Sequence, residues 1–261
     1  MLSTNYVPGA PVWVDLGTPD VEAAAAFYGA VFGWEFQSAG PDAGGYGMFT
    51  LDGKVVGAAG PLAAEGAAPI WTLYFHTENA NATADAVKRA GGVVSADPFD
   101  VFTAGRMAQF TDPGGAMFAV WEPGETKGLD AVNDPGTLCW TELHTTDPAA
   151  AKSFYQAVFG WVMQDVPMGP GNYTLIRPSG TGEDSQQGGI AAIDPEMAAA
   201  GMTTRWGLYF EVADCDAAVA KAAESGGAVT MPAQDVPQAG RMVWLADPAG
   251  VAFAVITSAT G

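Results

Sequence analysis

The chain is short of the residues that hold metals and polyanions. Its 261 residues include two histidines, His76 and His144, and two cysteines, Cys139 and Cys215. The cysteines carry no spacing motif, so they read as small buried residues and nothing in the pattern calls for a disulfide. Ten basic residues stand against 29 acidic ones, a net charge of −19. Phosphate neutralisation needs Lys and Arg, so nucleic acid and anionic membranes are disfavoured as partners. A neutral or cationic small molecule suits this field better. No apolar run reaches membrane-spanning length. The opening MLSTNYVPGAPVW lacks a basic region followed by an apolar core, so no secretory signal is expected and the cytoplasm is the default location. There is also no G-x-S-x-G, no phosphate loop and no dinucleotide fingerprint in a strand–helix context. What remains, at 49% hydrophobic and 15% charged, is a globular chain long enough for two domains with real cores.

The dominant feature is a repeat. Residues 18–34 read TPDVEAAAAFYGAVFGW and residues 145–161 read TTDPAAAKSFYQAVFGW. Such a match marks a duplication and takes precedence over other readings. The stretch predicts a helix. Thr18 is a candidate cap, Pro19 suits the first turn and Asp20 favours the positive end of the helix dipole. Val21, Ala24, Ala25, Tyr28, Val31 and Phe32 fall on one face at helical spacing, and Gly33, like Gly160, ends it. Phe27, Tyr28, Phe32, Trp34 and their copies are assigned to the core.

Alternating runs then predict strands over 11–17, 34–38, 46–51, 54–60, 70–76, 93–96, 105–111 and 116–121, with a second helix over 82–90 capped by Asn79. PLAAEGAAP reads as a linker between these two β-α-β-β-β units. The second half predicts strands over 138–144, 173–177, 188–193, 206–212, 227–231, 241–246 and 252–257, and helices over 148–159 and 216–225. Its later landmarks match the first half at a slightly larger offset. The extra residues therefore fall in PSGTGEDSQQ and IDPEMAAAGMTT, both read as loops. The expected domains are 8–124 and 137–258, joined by a linker at 125–136.

The run D-x-x-x-A-x-x-F-Y-x-x-V-F-G-W and the run G-R-M-x-x-x-x-D-P-x-G-x-x-F-A-V, each present in both halves, resemble the vicinal oxygen chelate superfamily. That superfamily includes glyoxalase I, extradiol dioxygenases and bleomycin-resistance proteins. Within it the chain resembles tandem two-domain actinobacterial members, labelled glyoxalase-like or hydroxylase-like. The resemblance implies an α+β fold of two tandem domains, each of two β-α-β-β-β units that curl into a cup-shaped sheet with helices outside. Strand alternation then sorts side chains. Trp13, Asp15 and Gly17 face the first cup with Thr72, Tyr74 and His76. Trp140, Glu142 and His144 face the second with Gly207, Tyr209 and Glu211.

Metal-dependent members take ligands near the start of each unit's first strand and from Glu in the last. Those positions hold Trp13, Thr72, Trp140, Gly207, Ala119 and Ala254, which lack the usual donors. With one histidine per half, a two-His-one-carboxylate site within a half is excluded. No cofactor is expected. A divalent metal held away from the family positions by Glu142, His144 and Glu211 is the alternative. His76, with Asp15 or Tyr74, and His144 with Glu142 and Glu211 are the candidate acid–base groups. Trp13, Thr72, Tyr74, Trp140 and Tyr209 are the candidate ligand-binding residues. Arg106 and Arg241 belong to a fold-level motif and read as structural. The resulting expectation is a metal-independent small-molecule binding protein of the resistance or stress-protection kind. The alternatives are a glyoxalase-type lyase or isomerase or a hydroxylase-like enzyme, and an interaction protein with vestigial cups.

Overall fold

A computed structural model describes residues 1–64, 66–168, 171–199 and 201–259. The first half runs β1 (Pro11–Thr18), α1 (Val21–Phe32), β2 (Glu35–Ser38), β3 (Gly47–Leu51), β4 (Lys54–Pro61), β5 (Ile70–His76), α2 (Ala80–Arg89), β6 (Val93–Val101), β7 (Gly105–Thr111) and β8 (Met117–Pro123). The second runs β9 (Leu138–Thr145), α3 (Pro148–Phe159), β10 (Val162–Met168), β11 (Gly171–Arg177), β12 (Gly188–Ala192), α4 (Pro195–Ala199), β13 (Arg205–Glu211), α5 (Cys215–Glu224), β14 (Ala228–Val236), β15 (Gly240–Ala246) and β16 (Ala252–Ser258). The strands form two eight-stranded sheets, ordered β2-β3-β4-β1-β5-β8-β7-β6 and β10-β11-β12-β9-β13-β16-β15-β14. In each β-α-β-β-β unit the first strand pairs in parallel with the last, as β1 does with β4 and β13 with β16. The fold is α+β, two tandem domains of two such units each. Among the described residues no helix is long and apolar enough to cross a membrane.

The helix ends correct one sequence expectation. Asp20, not Thr18, is the N-cap of α1: its extended backbone lets the short carboxylate accept the Ala23 amide at 2.9 Å. Thr18 Oγ1 sits two residues back and accepts the Asp20 amide. Asp147 caps α3 in the same way, through Ala150 N at 3.0 Å. Gly33 and Gly160 close the two helices at φ 79° and 67°, a conformation costly for any residue with a Cβ.

Three further differences have local causes. β10 is absent from the sequence reading because most of its residues point to solvent and Pro167 breaks its pattern. α4 lies in IDPEMAAAGMTT, read as a loop; Ala200 of that segment, and Glu65 of the PLAAEGAAP linker, lie outside the described residues. β6 and β14 run on through Pro98 and Pro232, near register shifts in strands at the sheet edges. There a missing N–H interrupts no ladder.

Packing sorts the chain differently from the sheets. One compact unit comprises Met1–Trp13, Leu73–Gly128 and Trp140–Gly207; the other comprises Val14–Thr72, Leu129–Cys139 and Leu208–Gly261. In the first unit α2 packs on α3, and Phe118 meets Phe154 and Phe159, both at ring distances of 6.1 Å. In the second, α1 packs on α5, and Phe253 meets Phe27 at 6.0 Å and Phe32 at 5.9 Å. Phe27 is thus part of the buried face, while Val21 and Ala25 of the predicted face are only half-buried.

Each unit also contains one copy of a buried polar chain. In the first, Trp206 Nε1 donates to Tyr155 OH (2.8 Å), which donates to Asp112 Oδ2 (3.1 Å). Asp112 Oδ1 accepts the Gly114 and Ala116 amides. In the second, Trp71 donates to Tyr28 (2.9 Å) and Tyr28 to Asp247 (3.2 Å), which accepts the Ala249 and Val251 amides. Burial raises both tyrosine pKa values, so the hydroxyls stay protonated. The Phe-Tyr and Asp-Pro motifs are therefore the two ends of one structural tether. Tyr155→Phe would leave Asp112 Oδ2 and the Trp206 nitrogen buried and unpaired, costing about 2–6 kcal/mol at 1–3 kcal/mol for each group. Urea unfolding at neutral pH reads this, and a loss below about 0.5 kcal/mol would show that the tether contributes nothing.

Candidate functional site

Several polar groups meet on one sheet face in the first compact unit, on β9. Period-two alternation puts Trp140, Glu142 and His144 on one side of this strand, while Leu143 is fully buried on the other. Tyr173 comes across from β11. Trp140 Nε1 donates to Tyr173 OH at 2.9 Å, and Tyr173 donates to Glu142 Oε2 at 2.8 Å. The other carboxylate oxygen, Glu142 Oε1, lies 3.1 Å from His144 Nε2. Little of this pair reaches solvent: 13% of the Glu142 side chain and 9% of His144 are exposed.

His144 has its pKa lowered from 6.5 to about 4, by burial first and then by the positive charge of Arg205 at the start of β13. The Glu142 carboxylate would favour the imidazolium, but burial and Arg205 outweigh it. At neutral pH the imidazole is therefore neutral, with Glu142 Oε1 3.1 Å away and the Arg205 charge close enough to act on it. Such a set can accept or relay a proton, and it can hold a ligand by hydrogen bonds at an aromatic edge.

The other predicted residues are placed as follows. Trp13, Tyr74 and Tyr209 are 6%, 4% and 2% exposed, so each is built into the interior. The Tyr209 ring meets Trp244 edge-on at 5.1 Å. Thr72 is half-buried on β5. His76 is half-buried, its pKa is lowered by burial against the opposing pull of Glu78, and among the described residues its buried Nδ1 finds no hydrogen-bond partner. Asp15 accepts from Tyr46 OH at 3.3 Å in the second compact unit. Glu211 turns to the end of β16, accepting the Ser258 amide (3.0 Å) and hydroxyl (2.6 Å). Among the described residues no group of three His, Cys, Asp or Glu is arranged to hold a metal ion, so Glu142, His144 and Glu211 do not form one. A shallow depression of about 220 Å³ beside α1 and α5, lined by Phe32, Gly136, Ala217 and Lys221 among others, contains none of these residues.

Tyr173, Tyr46 and Arg205 escaped the sequence reading. The tyrosines carried a usable signal, because they occupy matched places in the two halves. Arg205 carried none, since Ile70 stands at its matched position.

The profile described as the Glyoxalase/Bleomycin resistance protein/Dioxygenase superfamily matches residues 10–120 and 137–255. The chain is 39% identical over 262 residues to "Putative glyoxylase CFP32" of Mycobacterium tuberculosis, covering 98% of this chain and 97% of that protein. It is 39% identical over 268 residues to anthracycline biosynthesis protein DnrV of Streptomyces peucetius, covering 97% and 94%. Among solved structures, the Mn(II)-bound glyoxalase from Novosphingobium aromaticivorans matches with a TM-score of 0.65 at 17% identity, over 96% of this chain and 82% of that one. The 2,2',3-trihydroxybiphenyl 1,2-dioxygenase of Sphingomonas wittichii matches with a TM-score of 0.66 at 17% identity, over 97% and 91%. At that identity the two structures speak to fold alone.

Proposed function

Since the chain belongs to the glyoxalase/bleomycin resistance protein/dioxygenase superfamily, we propose that it is a metal-independent small-molecule binding protein, in a resistance or stress-protection role, with its ligand at the β9 cluster. The observation that carries this reading is the donor set. The positions where metal-dependent members of the family hold their ligands carry Trp13, Thr72, Trp140, Gly207, Ala119 and Ala254. Only Thr72 among them offers an oxygen, and hydroxyls are poor first ligands for zinc, nickel or iron. The residues present do not fit a resident metal.

The ligand chemistry follows from what replaces the donors. An indole, a phenol and a carboxylate linked in series suit a planar aromatic molecule with hydroxyl or carbonyl groups on its edge. Two of the relatives are named for anthracycline biosynthesis, and anthracyclines are polycyclic aromatics with such edges. Of the neutral and cationic ligands that the overall charge admits, the Arg205 guanidinium favours the neutral one at this cluster.

Two measurements test the reading. Metal analysis of the native protein should find no stoichiometric nickel, zinc, iron or manganese, and tight stoichiometric metal would overturn it. Titration with 1-hydroxyanthraquinone should quench tryptophan fluorescence saturably, and Trp140→Ala should weaken binding about tenfold or more, as loss of a buried aromatic anchor does. The 3.1 Å approach of Glu142 to a neutral His144 favours one second reading, an acid–base enzyme in which the imidazole takes up a proton while the carboxylate stabilises the resulting cation. Turnover of a methylglyoxal–thiol adduct that disappears in His144→Ala would put that reading first.

A further inference from the structure

The second compact unit repeats part of the β9 cluster and leaves part of it out. Asp15 stands where the other half has Glu142, and Tyr46 where it has Tyr173. The hydrogen bond between them is repeated too: Tyr46 OH donates to Asp15 Oδ2 at 3.3 Å. The carboxylate differs in length between the halves, yet each time a tyrosine hydroxyl from the neighbouring hairpin meets it. Val14 and Leu16, on the opposite face of β1, are 0% and 1% exposed, whereas Asp15 is half-buried on its own face. A half-buried carboxylate is an expensive choice for mere filling, because an apolar residue at that position would pack without desolvation cost.

Two differences set the chemistry. Gly17 stands where the other half has His144, and Ile70 where it has Arg205. A Cβ built at Gly17 would meet nothing closer than 3.9 Å, the Ile70 carbonyl and a Leu62 methyl. Beside Asp15, where the other copy places an imidazole, the chain carries no side chain, a side chain would enter at contact distance without clash, and the arginine charge is replaced by a butyl group. Gly60 is the register partner of Gly17, and a Cβ there would come within 2.8 Å of the Tyr46 ring, so an aromatic side chain stands beside that position.

We propose that Asp15, Tyr46 and Gly17 form a second ligand site, which takes a protonated aromatic amine. The ammonium pairs with Asp15, the ring body occupies the space over Gly17, and Tyr46 supplies an aromatic face and a fixed hydroxyl. The two halves then divide their ligands by charge, neutral at the β9 cluster and cationic at β1. The inference rests on the reading that the β9 cluster binds a small molecule.

The test is calorimetric titration of the full chain with 9-aminoacridine, a planar cation at neutral pH, and with 1-hydroxyanthraquinone. The cation should bind one equivalent, and saturating 1-hydroxyanthraquinone should not displace it. Asp15→Asn should weaken the cation by roughly thirtyfold or more, as removal of one partner of a shielded charge pair does. Gly17→Leu fills the space, keeps the carboxylate and should abolish the event; it decides the matter if the asparagine variant melts early by circular dichroism. Unchanged cation isotherms in both variants, or uptake of 1-hydroxyanthraquinone without any uptake of 9-aminoacridine, would overturn the second site and leave the β9 reading standing. Binding of neither dye would overturn both.

Discussion

Residues 1–124 produced alone are expected not to form a folded monomer, although they contain a complete eight-stranded sheet. The reason lies in where the helices rest. The buried face of α1, made by Phe27, Tyr28, Val31 and Phe32, lies against Phe210 and Phe253 of the second half. Exposing four such side chains costs about 6–12 kcal/mol at 1.5–3 kcal/mol each. That is the size of a typical domain's whole stability, about 5–15 kcal/mol. The tether from Tyr28 to Asp247 is cut in the same operation. The fragment should aggregate or self-associate, and mixing it with residues 125–261 during refolding should restore a one-to-one soluble species. Light scattering after size exclusion reads the mass, and urea unfolding reads cooperativity. A monomeric fragment 1–124 with a cooperative transition would sink the argument.

That arrangement also marks where sequence reading stops. The repeated helices were legible because their ends are written in single residues: a cap acid, a Phe-Tyr pair, a closing glycine. What each helix packs against was not, because an apolar face is the same string whatever covers it. Tyr28 and Tyr155 fall in the core by periodicity, but their hydroxyl partners lie far along the chain, 219 residues away for Tyr28. The site divides in the same way. Trp140, Glu142 and His144 share a face of one strand, and a period of two brings them together. Tyr173 and Arg205 arrive from other strands, and strand order is not in the local pattern. Glu211 shows the converse limit. Alternation fixes the side of the strand from which it leaves, but its position at the strand's end lets the carboxylate turn to Ser258.

Folding stability should fall as the pH drops from 6.5 toward 4, and most of the histidine share of that fall should belong to His144. Its pKa is lowered in the folded chain from 6.5 to about 4, so between those values the unfolded chain binds a proton that the folded chain refuses. The contribution is fully present above pH 6.5, declines as the pH falls, and is gone below about 4. A gap of that width corresponds to about 3 kcal/mol at 1.36 kcal/mol per pH unit. His76, also lowered by burial, adds in the same direction. Side chains of aspartate and glutamate titrate lower in this range, so the comparison must be internal: His144→Gln should unfold with a pH dependence flatter than that of the parent chain by about 3 kcal/mol over the window. If the two profiles run parallel, the imidazole takes up its proton in the folded chain as readily as in the unfolded one and is charged across the acidic part of the window. The β9 cluster would then carry a cation at its centre, and its preference for neutral ligands would need another source.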